Sequence, residues 1–398
     1  MKFTSLFIVA CMALTSTEAV APFFSNSHGT NAISGSYIVV LKGNHTIDSF
    51  EPKFNEMSNR HRNARGGRAA TIGHKFSTIP GFSITGTRAH LNELLNMDEV
   101  EYIEQDALYS IQATQSSPPP WGLSRVSRRA GLTTTKTSYL YAAAAGSGVT
   151  AYVVDTGINT AHKEFGGRAT MGANFITGSR NTDENGHGTH VSGTIGGATY
   201  GVAKKVKLVG VKVLNAQGSG STSGIAAALD WIVSVNKGKK AVVNMSLGGG
   251  SSRTLNAATT RLFNANIPVI VAAGNDATVN ACNGSPSGAP DVLAVGASDI
   301  NDNVASFSSF GKCVKIFGPG VSITSAWIGS ASARNTISGT SMATPHVVGV
   351  AALYMSSKST VKTASQVYST LQSTATKNVI KGSLRGSANR LVFNGAGK

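Results

Sequence analysis

Apolar, β-branched runs recur along the C-terminal two thirds of the chain and alternate with stretches of helical periodicity. Continuous apolar strands separated by helices are typical of a parallel sheet that is covered on both faces. In such sheets the functional residues gather at the carboxyl ends of the strands. The pattern therefore predicts an α/β domain of three layers, with strands at 149–154, 207–214, 241–245, 267–272 and 292–295 and helices at 223–235, 253–264 and 341–355.

The N-terminal third has a different pattern. Residues 36–110 predict strands at 37–41, 81–85 and 100–111 and amphipathic helices at 47–63 and 89–97, with a basic, glycine-containing loop at 60–68. This β-α-β-α-β order suits a small α+β unit with two helices packed on one sheet. Residues 115–120 are rich in Ser and Pro, which is typical of an exposed linker and of a processing site. The boundary between two folding units is therefore predicted here.

The first twenty residues have the pattern of an export signal. Met1 and Lys2 precede an apolar run at 3–14 and then small residues, as in the charged, hydrophobic and cleavage regions of a signal peptide. The alternative is a short membrane anchor, but a span needs about 20 apolar residues, more than the run provides. The pattern predicts a signal peptide at 1–20, a secreted protein and no membrane association.

Composition adds the class and the surface charge. The chain has 398 residues, of which 41% are hydrophobic and 14% charged, which indicates a compact globular protein. The formal net charge is +16, and from residue 114 onward 26 Lys and Arg residues stand against 9 Asp and Glu residues. The basic residues are not interleaved with aromatic ones, so a solvated surface is favoured over nucleic-acid binding.

Three motifs place reactive residue types at strand ends or at the starts of the helices that follow. Asp155 comes directly after an apolar strand, His187 lies between glycines in Asn-Gly-His-Gly-Thr-His, and Ser341 opens an apolar helix after Ser-Gly-Thr. A helix N-terminus favours developing negative charge, which suits an attacking alkoxide and an oxyanion. A fourth residue, Asn275, follows the strand at 267–272 and has an amide suited to binding an oxyanion.

Each motif also has a purely structural alternative. Asp155 and Ser341 taken alone suit turn or helix-cap roles, and Asn275 suits a turn. His187 and His190 are three residues apart and suit a zinc site, but no third ligand with recognisable spacing lies nearby. His190 also suits the role of a buried histidine.

The four motifs together resemble the subtilisin-like serine proteases, and most closely their proteinase K-like branch. The order Asp, His, Ser separates the chain from chymotrypsin-like enzymes and α/β-hydrolases. The resemblance extends over nearly the whole chain and also includes residues 121–123, 201–204, 210–214, 244–249 and 316–320.

This resemblance implies a subtilisin-like three-layer fold with a mostly parallel central sheet, preceded by a small ferredoxin-like α+β propeptide. The implied domains are a signal peptide at 1–20, a propeptide at 21–113 with its inhibitor domain at about 36–110, and a peptidase domain at 114–398. The propeptide would inhibit its own enzyme until self-cleavage between about Gln112 and Pro118.

The implied activity is broad-specificity hydrolysis of protein and peptide substrates by a monomeric endopeptidase through an acyl-enzyme. Asp155, His187 and Ser341 would form the triad, and Asn275 would bind the oxyanion. No acidic residue is expected in the primary specificity pocket, which argues against a preference for basic side chains. The substrate-binding residues implied are Gly218, Ser219, Gly220, Ser246, Leu247, Gly248, Gly249, Ala272, Ala273 and Gly274.

Calcium, the cysteines and the sequons are less uniform within the family. No cofactor is needed for the chemistry, and the family's calcium site has Lys315 where a carboxylate is usual, which leaves the carbonyls of Pro290 and Val292. Cys282 and Cys313 match a family disulfide, the alternative being two buried thiols. The predicted glycosylation sites are Asn44 and Asn283, whereas the sequon at Asn244 adjoins the substrate edge.

Three other functions compete with a peptidase. A catalytically inactive homologue would act as a binding protein, an esterase would use the same triad, and a basic nucleic-acid-binding protein would not need Ser341. The intact set of four catalytic positions argues against the first. The motif at 339–343 lacks the second glycine of G-x-S-x-G, which argues against the second.

Overall fold

The computed structural model of the chain describes residues 20–25, 32–64, 67–110, 114–115, 120–132 and 138–396. Apart from Val20, the predicted signal peptide lies outside the described residues, as do Gln112 and residues 116–118 of the predicted cleavage region. The helices within these ranges are α1 (Ile47–Asn63), α2 (Arg88–Leu95), α3 (Gly122–Val126), α4 (His187–Gly196), α5 (Thr222–Asn236), α6 (Arg253–Asn264), α7 (Thr340–Ser357) and α8 (Ala364–Thr374).

Strands of the described residues form a small N-terminal sheet, a large central sheet and two short ones. They are β1 (Phe23–Phe24), β2 (Ala32–Leu41), β3 (Thr71–Phe76), β4 (Gly81–Thr85), β5 (Val100–Ser110), β6 (Thr114–Gln115), β7 (Thr150–Asp155), β8 (Ala169–Asn174), β9 (Lys207–Lys212), β10 (Ser219–Ser221), β11 (Ala241–Met245), β12 (Gly249–Gly250), β13 (Val269–Ala272), β14 (Gly284–Ser285), β15 (Leu293–Ser298), β16 (Val314–Pro319), β17 (Ile323–Ala326), β18 (Arg334–Ser338), β19 (Thr376–Lys377) and β20 (Arg390–Leu391).

The central sheet has the order β19-β20-β16-β15-β13-β11-β7-β9-β8, and its pairs are parallel except for β19 with β20. Side chains of successive strand residues point to opposite faces of the sheet, so an apolar strand contributes side chains to the cores on both faces. In β7, Val153 packs into the core shared with α4 and α7, whereas Val154 packs into the core shared with α5 and α6. The predicted three-layer α/β fold is therefore confirmed.

The N-terminal unit is an antiparallel sheet of order β5-β2-β4-β3, with α1 and α2 packed around Phe50, Phe82 and Leu91. Its element order is β-α-β-β-α-β, which is the ferredoxin-like arrangement. The sequence analysis missed β3, because this edge strand alternates exposed polar residues with partly buried ones instead of presenting an apolar run. The loop predicted at 60–68 was also placed too early, since α1 continues to Asn63.

The two units share an interface on the side of α5 and α6. Asp106 of β5 accepts hydrogen bonds from the Ser223 N–H (3.1 Å) and hydroxyl (2.6 Å) at the start of α5. Glu104 accepts one from the Thr254 N–H of α6 at 2.8 Å. In the opposite direction, Asp230 of α5 accepts N–H groups of Ser77 and Thr78 at 2.8 and 2.6 Å. Carboxylates of each unit thus accept hydrogen bonds from backbone N–H groups of the other unit, and these bonds hold the two units together.

Among the described residues, none of the helices has both the length and the apolar character needed to cross a membrane.

Candidate active site

Asp155 and His187 form a buried pair at the carboxyl edge of the central sheet. Asp155 is the last residue of β7, and His187 is the first residue of α4. The His187 Nδ1 lies 2.8 Å from Asp155 Oδ1 and 3.0 Å from Oδ2. Two carboxylate oxygens at Nδ1 assign the ring proton to that nitrogen, which leaves Nε2 as the basic one. His187 Nε2 is buried and has no hydrogen-bond partner among the described residues.

The turn into α4 depends on glycine at position 186. Gly186 is the N-cap of α4 and has a φ of 108°, a region that residues with a Cβ seldom adopt. A Cβ at this position would also collide with the indole ring of Trp327. The glycine before His187 therefore lets the chain turn sharply and present the imidazole at the helix start.

Ser341 lies in the first turn of α7 and is 3% exposed. Helix α7 packs against both α4 and the central sheet. The Ser341 hydroxyl donates to the Ser246 carbonyl at 3.1 Å, and the Ser246 hydroxyl donates back to the Ser341 carbonyl at 2.9 Å. The bond between Ser341 and His187 that the sequence analysis implies is thus not formed in this rotamer.

Asn275 follows β13 in a loop that packs on the start of α7. Its Oδ1 accepts hydrogen bonds from the Thr340 N–H and from the Thr340 hydroxyl, both at 2.7 Å. Two donors on one amide atom identify it as the oxygen, so the other end of the amide is the NH₂ donor. Asn275 and Ser341 line the same cavity, as an oxyanion donor and its nucleophile must.

This cavity has a volume of about 250 Å³ and is lined mainly by small and apolar residues. Ala272 and Ala273 are buried in its wall. Six of the predicted substrate-binding residues line it, namely Leu247, Gly248, Gly249, Ala272, Ala273 and Gly274.

One expectation about the cavity is wrong, because an acidic residue does line it. Asp276 follows Asn275 directly and lies exposed at the cavity lining. Its Oδ1 accepts the Thr278 N–H at 2.8 Å and the Thr278 hydroxyl at 2.6 Å, and these bonds lower the pKa of the carboxyl. The negative charge of Asp276 is therefore present at the rim of the cavity, and one of its carboxylate oxygens faces Thr278.

The remaining predicted substrate-binding residues lie on two other segments of the chain. Gly218 precedes β10, which contains Ser219 and Gly220, and Ser246 contacts Ser341 as described above. Strand β10 pairs antiparallel with the end of β5, with Ser219 opposite Ser110 and Gly220 opposite Tyr109. The N-terminal unit thus already occupies this edge with an extended strand.

The described chain resumes in β6, which pairs with the strand that precedes Ser341. Thr114 and Gln115 of β6 pair antiparallel with Ser338 and Ile337 of β18, and Ser338 lies three residues before Ser341. The chain between 110 and 114 lies outside the described residues.

His190 of α4 and His346 of α7 are two further buried histidines. The His190 Nε2 lies 2.9 Å from the Ile323 carbonyl, and burial lowers the pKa of this imidazole to about 3. Burial likewise lowers the pKa of His346 to about 4, and its Nδ1 lies 2.8 Å from the Met342 carbonyl. The described residues contain no group of three or more His, Cys, Asp or Glu side chains that could hold a metal.

The segment that would bind calcium in this kind of protein does not fit the ion. Calcium takes six to eight oxygen ligands and commonly includes carboxylates. Lys315 donates to the Lys312 carbonyl at 2.8 Å and places a cation where a carboxylate is expected. Asp291, between Pro290 and Val292, accepts the Thr260 hydroxyl at 2.7 Å. The donor set present is therefore poor for calcium.

Cys282 and Cys313 form a disulfide, as predicted, across 31 residues of sequence. It ties the loop after β13, which lines the cavity, to the start of β16. The predicted glycosylation residues Asn44 and Asn283 are both exposed. Asn244, by contrast, is fully buried and donates to the Ser246 hydroxyl at 2.9 Å.

Two residues that hold the site were missed by sequence reasoning. Thr340 orients Asn275, although it is part of the Gly-Thr-Ser motif, where it was treated only as a spacer. Asp183 lies four residues before His187 and binds the backbone of that turn. An acid just before a helix start is a weak signal for such a role, because most such acids only cap the helix.

Two family models match the chain. The model described as "Subtilase family" matches residues 146–390, and that described as "Peptidase inhibitor I9" matches residues 36–112. These ranges correspond to the central-sheet domain and to the N-terminal unit.

Curated relatives match over the full length. The chain is 40% identical to a cuticle-degrading serine protease of Arthrobotrys oligospora, with 98% of each chain covered. It is 42% identical to subtilisin-like protease 2 of Pseudogymnoascus destructans (all of both chains) and to subtilisin-like protease 3 of Arthroderma otae (100% of this chain and 99% of the relative). Among solved structures, a cold adapted subtilisin-like serine proteinase matches with a TM-score of 0.65 and 44% identity, covering 70% of this chain and 99% of the other.

Proposed function

Because the chain belongs to the subtilase family, and is therefore a serine protease with a propeptide, we propose that Asp155, His187 and Ser341 are its catalytic triad. The observation that carries the proposal is the His187 ring, whose Nδ1 is bound by Asp155 while its buried Nε2 has no partner in the part of the chain that the structure describes. A histidine held in that tautomer is ready to accept a proton on Nε2.

In the proposed reaction, the Ser341 hydroxyl leaves the Ser246 carbonyl and donates its hydrogen bond to His187 Nε2 instead. Ser341 Oγ then attacks the peptide carbonyl while His187 accepts its proton and later passes it to the leaving amine. Asp155 keeps the imidazole in the required tautomer and stabilises the imidazolium. A water molecule hydrolyses the acyl-enzyme by the same steps.

The oxyanion is proposed to bind between the Asn275 amide and the Ser341 N–H. Thr340 supports this role because its two bonds to Asn275 Oδ1 orient the amide. The first N–H groups of a helix have no intrahelical acceptor, so that of Ser341 suits a ligand. Removing one such donor commonly costs about 3 kcal/mol of transition-state stabilisation.

We propose that substrates bind as an extended strand between the edges at 218–220 and 246–249, by β-augmentation. The pairing of β5 with β10 supports this, because a strand of the N-terminal unit already uses that edge. The cavity of about 250 Å³ beside Ser341 has Ala272 and Ala273 buried in its wall and the Asp276 charge at its exposed rim, so its interior suits apolar and aromatic side chains, which favours broad specificity.

The N-terminal unit is proposed to act as an inhibitory propeptide at 21–113 that the enzyme removes itself, between about Gln112 and Pro118. The pairings of β5 with β10 and of β6 with β18 support this, because β10 contains the predicted substrate-binding residues Ser219 and Gly220 and β18 ends three residues before Ser341. The enzyme is further proposed to be secreted and monomeric, with a signal peptide at 1–20 and glycans at Asn44 and Asn283. Neither calcium nor nucleic acid is proposed as a partner.

The decisive experiment replaces Ser341 with alanine. The Ser341→Ala chain is expected to remain an unprocessed precursor and to lose hydrolysis of a chromogenic peptide, while Ser373→Ala, an exposed serine of α8, matures normally. Maturation of Ser341→Ala in a protease-free expression system would contradict self-processing. Hydrolysis of simple esters but not of peptides would favour the esterase alternative.

A further inference from the structure

One carboxylate beside the proposed triad is saturated with hydrogen bonds. Asp183 is 6% exposed, and its Oδ1 accepts the Thr156 hydroxyl at 2.8 Å and the N–H groups of Asn185 and Gly186 at 3.0 and 2.9 Å. Its Oδ2 accepts the N–H and hydroxyl of Thr189 at 2.9 and 2.6 Å. Four of these five donors belong to the turn and the first turn of α4 around His187.

The fifth donor, Thr156, directly follows Asp155, the other member of the Asp155–His187 pair. Its N–H donates to Asp155 Oδ1 at 2.7 Å, and its hydroxyl accepts the Gly188 N–H at 2.9 Å while donating to Asp183. Asp155, Thr156, Asp183 and α4 therefore form a closed ring that returns to Asp155 through His187.

The segments that form this ring are tightly packed against each other. A Cβ on Gly188 would collide with the Gly157 carbonyl oxygen, so the first turn of α4 lies directly on the segment after Asp155. The Thr189 hydroxyl, which donates to Asp183, also accepts the Asn159 N–H at 2.9 Å.

We infer that Asp183, acting through the Thr156 hydroxyl and the first turn of α4, is a positioning residue that sets the distance between Asp155 and His187. The inference rests on the proposed function, since it assigns a role in the same reaction. Neither Asp183 nor Thr156 is a catalytic residue, because the reacting atoms are those of Ser341, His187 and the substrate.

A buried cation balances the carboxylates at this place. Lys212 has no exposed surface, and its Nζ donates to the Thr156 carbonyl at 2.8 Å. Burial lowers the pKa of this ammonium, while Asp183, Glu184 and Asp155 raise it in opposition. Thr156 thus accepts a hydrogen bond from the Lys212 ammonium with its carbonyl and donates one to the Asp183 carboxylate with its hydroxyl. The two bonds together hold Thr156 in place directly after β7.

The test compares two substitutions of one side chain. Thr156→Val keeps the shape and removes the hydroxyl, whereas Thr156→Ser keeps the hydroxyl and removes a methyl group. We expect Thr156→Val to lower kcat by about 10- to 100-fold with KM changed less than twofold, because small misplacements of catalytic groups are costly. Thr156→Ser is expected to stay within about threefold of the wild-type kcat, since its hydroxyl restores the bonds.

A matched control separates positioning from loss of stability. Thr363 caps α8, far from the site, by accepting the Gln366 N–H with its hydroxyl. Thr363→Val is expected to lower the thermal midpoint without changing kcat per active site, as counted by titration of the active serine. The double variant Thr156→Val with Asp183→Asn should lose less kcat than the two single losses multiplied together, because both substitutions disrupt the same hydrogen-bond network.

A second measurement does not depend on maturation or activity. In the Ser341→Ala precursor, the Nδ1 proton of His187, bound to Asp155, gives a low-field proton resonance that His187→Gln would identify. We expect this resonance to move upfield or broaden with Thr156→Val and to persist with Thr156→Ser.

Unchanged kcat in Thr156→Val, together with an unchanged resonance, would overturn the inference, as would equal losses in Thr156→Val and Thr156→Ser. A wild-type chain that cleaves no peptide would contradict the proposed function instead. The resonance would then still decide whether Thr156 and Asp183 position His187.

Discussion

At the scale of single residues, His190 and His346, which lie outside the proposed triad, make the stability of the fold depend on pH. His190 and His346 are almost completely buried, and burial lowers their pKa values to about 3 and about 4. In the unfolded chain a histidine titrates near pH 6.5. Between these values the unfolded chain binds protons that the folded chain does not, so stability falls as the pH falls.

The first prediction concerns this acid window. The contribution of the two neutral imidazoles is complete above about pH 6.5 and decreases toward pH 4, by about 3 kcal/mol for each histidine near pH 4.5. Thermal unfolding of the inhibitor-blocked mature enzyme between pH 7 and 4.5 measures it. His346→Asn should be less stable than the wild type at pH 7 but should lose less stability on acidification. An equal loss in both proteins would contradict the assignment to His346.

At the scale of elements, the disulfide joins two segments that the central sheet does not hold directly. Cys282 lies in a short 3₁₀ turn among residues that line the cavity, and Cys313 precedes β16. A cross-link over 31 residues removes conformational freedom mainly from the unfolded chain.

The second prediction follows from that loop length. Replacing both cysteines by serine is expected to lower the free energy of unfolding by about 3 to 4 kcal/mol. The thermal midpoint should fall on the order of 5 to 10 °C in a domain of this size. Thermal unfolding of the blocked enzyme with and without a reductant provides the comparison. A wild-type midpoint insensitive to complete reduction would contradict a stabilising disulfide.

At the scale of the whole molecule, hydrogen bonds join the two units. Carboxylates of the N-terminal unit accept them from the first turns of helices in the other unit. Asp106 binds the first turn of α5 through both oxygens and also accepts the Ser36 hydroxyl at 3.0 Å. Helix N-termini favour negative charge, so these bonds stabilise α5 as well as the interface. We expect these bonds to keep the N-terminal unit bound after the proposed cleavage.

The third prediction tests that interface. Hydrogen bonds to charged groups commonly contribute about 1.5 to 3 kcal/mol, so Asp106→Ala should shorten the life of the cleaved complex by about 10- to 100-fold. The lag before peptidase activity appears after processing measures this lifetime. Asp98→Ala, at an exposed carboxylate of the same unit, should leave the lag unchanged. A lag in Asp106→Ala equal to that of the wild type would contradict the role of Asp106.

Hydrophobic periodicity in the sequence was sufficient to predict most elements, because each one buries a contiguous local pattern. The helices at 47–63 and 253–264 and the strands at 81–85 and 241–245 have the predicted bounds. Strand β3 escaped prediction because, as an edge strand with alternating exposure, it has no apolar run.

The sequence by itself determined the family, the order of most elements and the residue types of the site. These follow from local patterns and ordered motifs that need no coordinates. The tertiary structure alone decided which side chains meet, because the packing of distant segments sets every such contact. It brought the Asp183 carboxylate to Thr156, turned the Ser341 hydroxyl to the Ser246 carbonyl and placed Asp276 at the cavity rim. None of these three contacts follows from a periodicity or a motif, since each depends on the exact approach of separate elements.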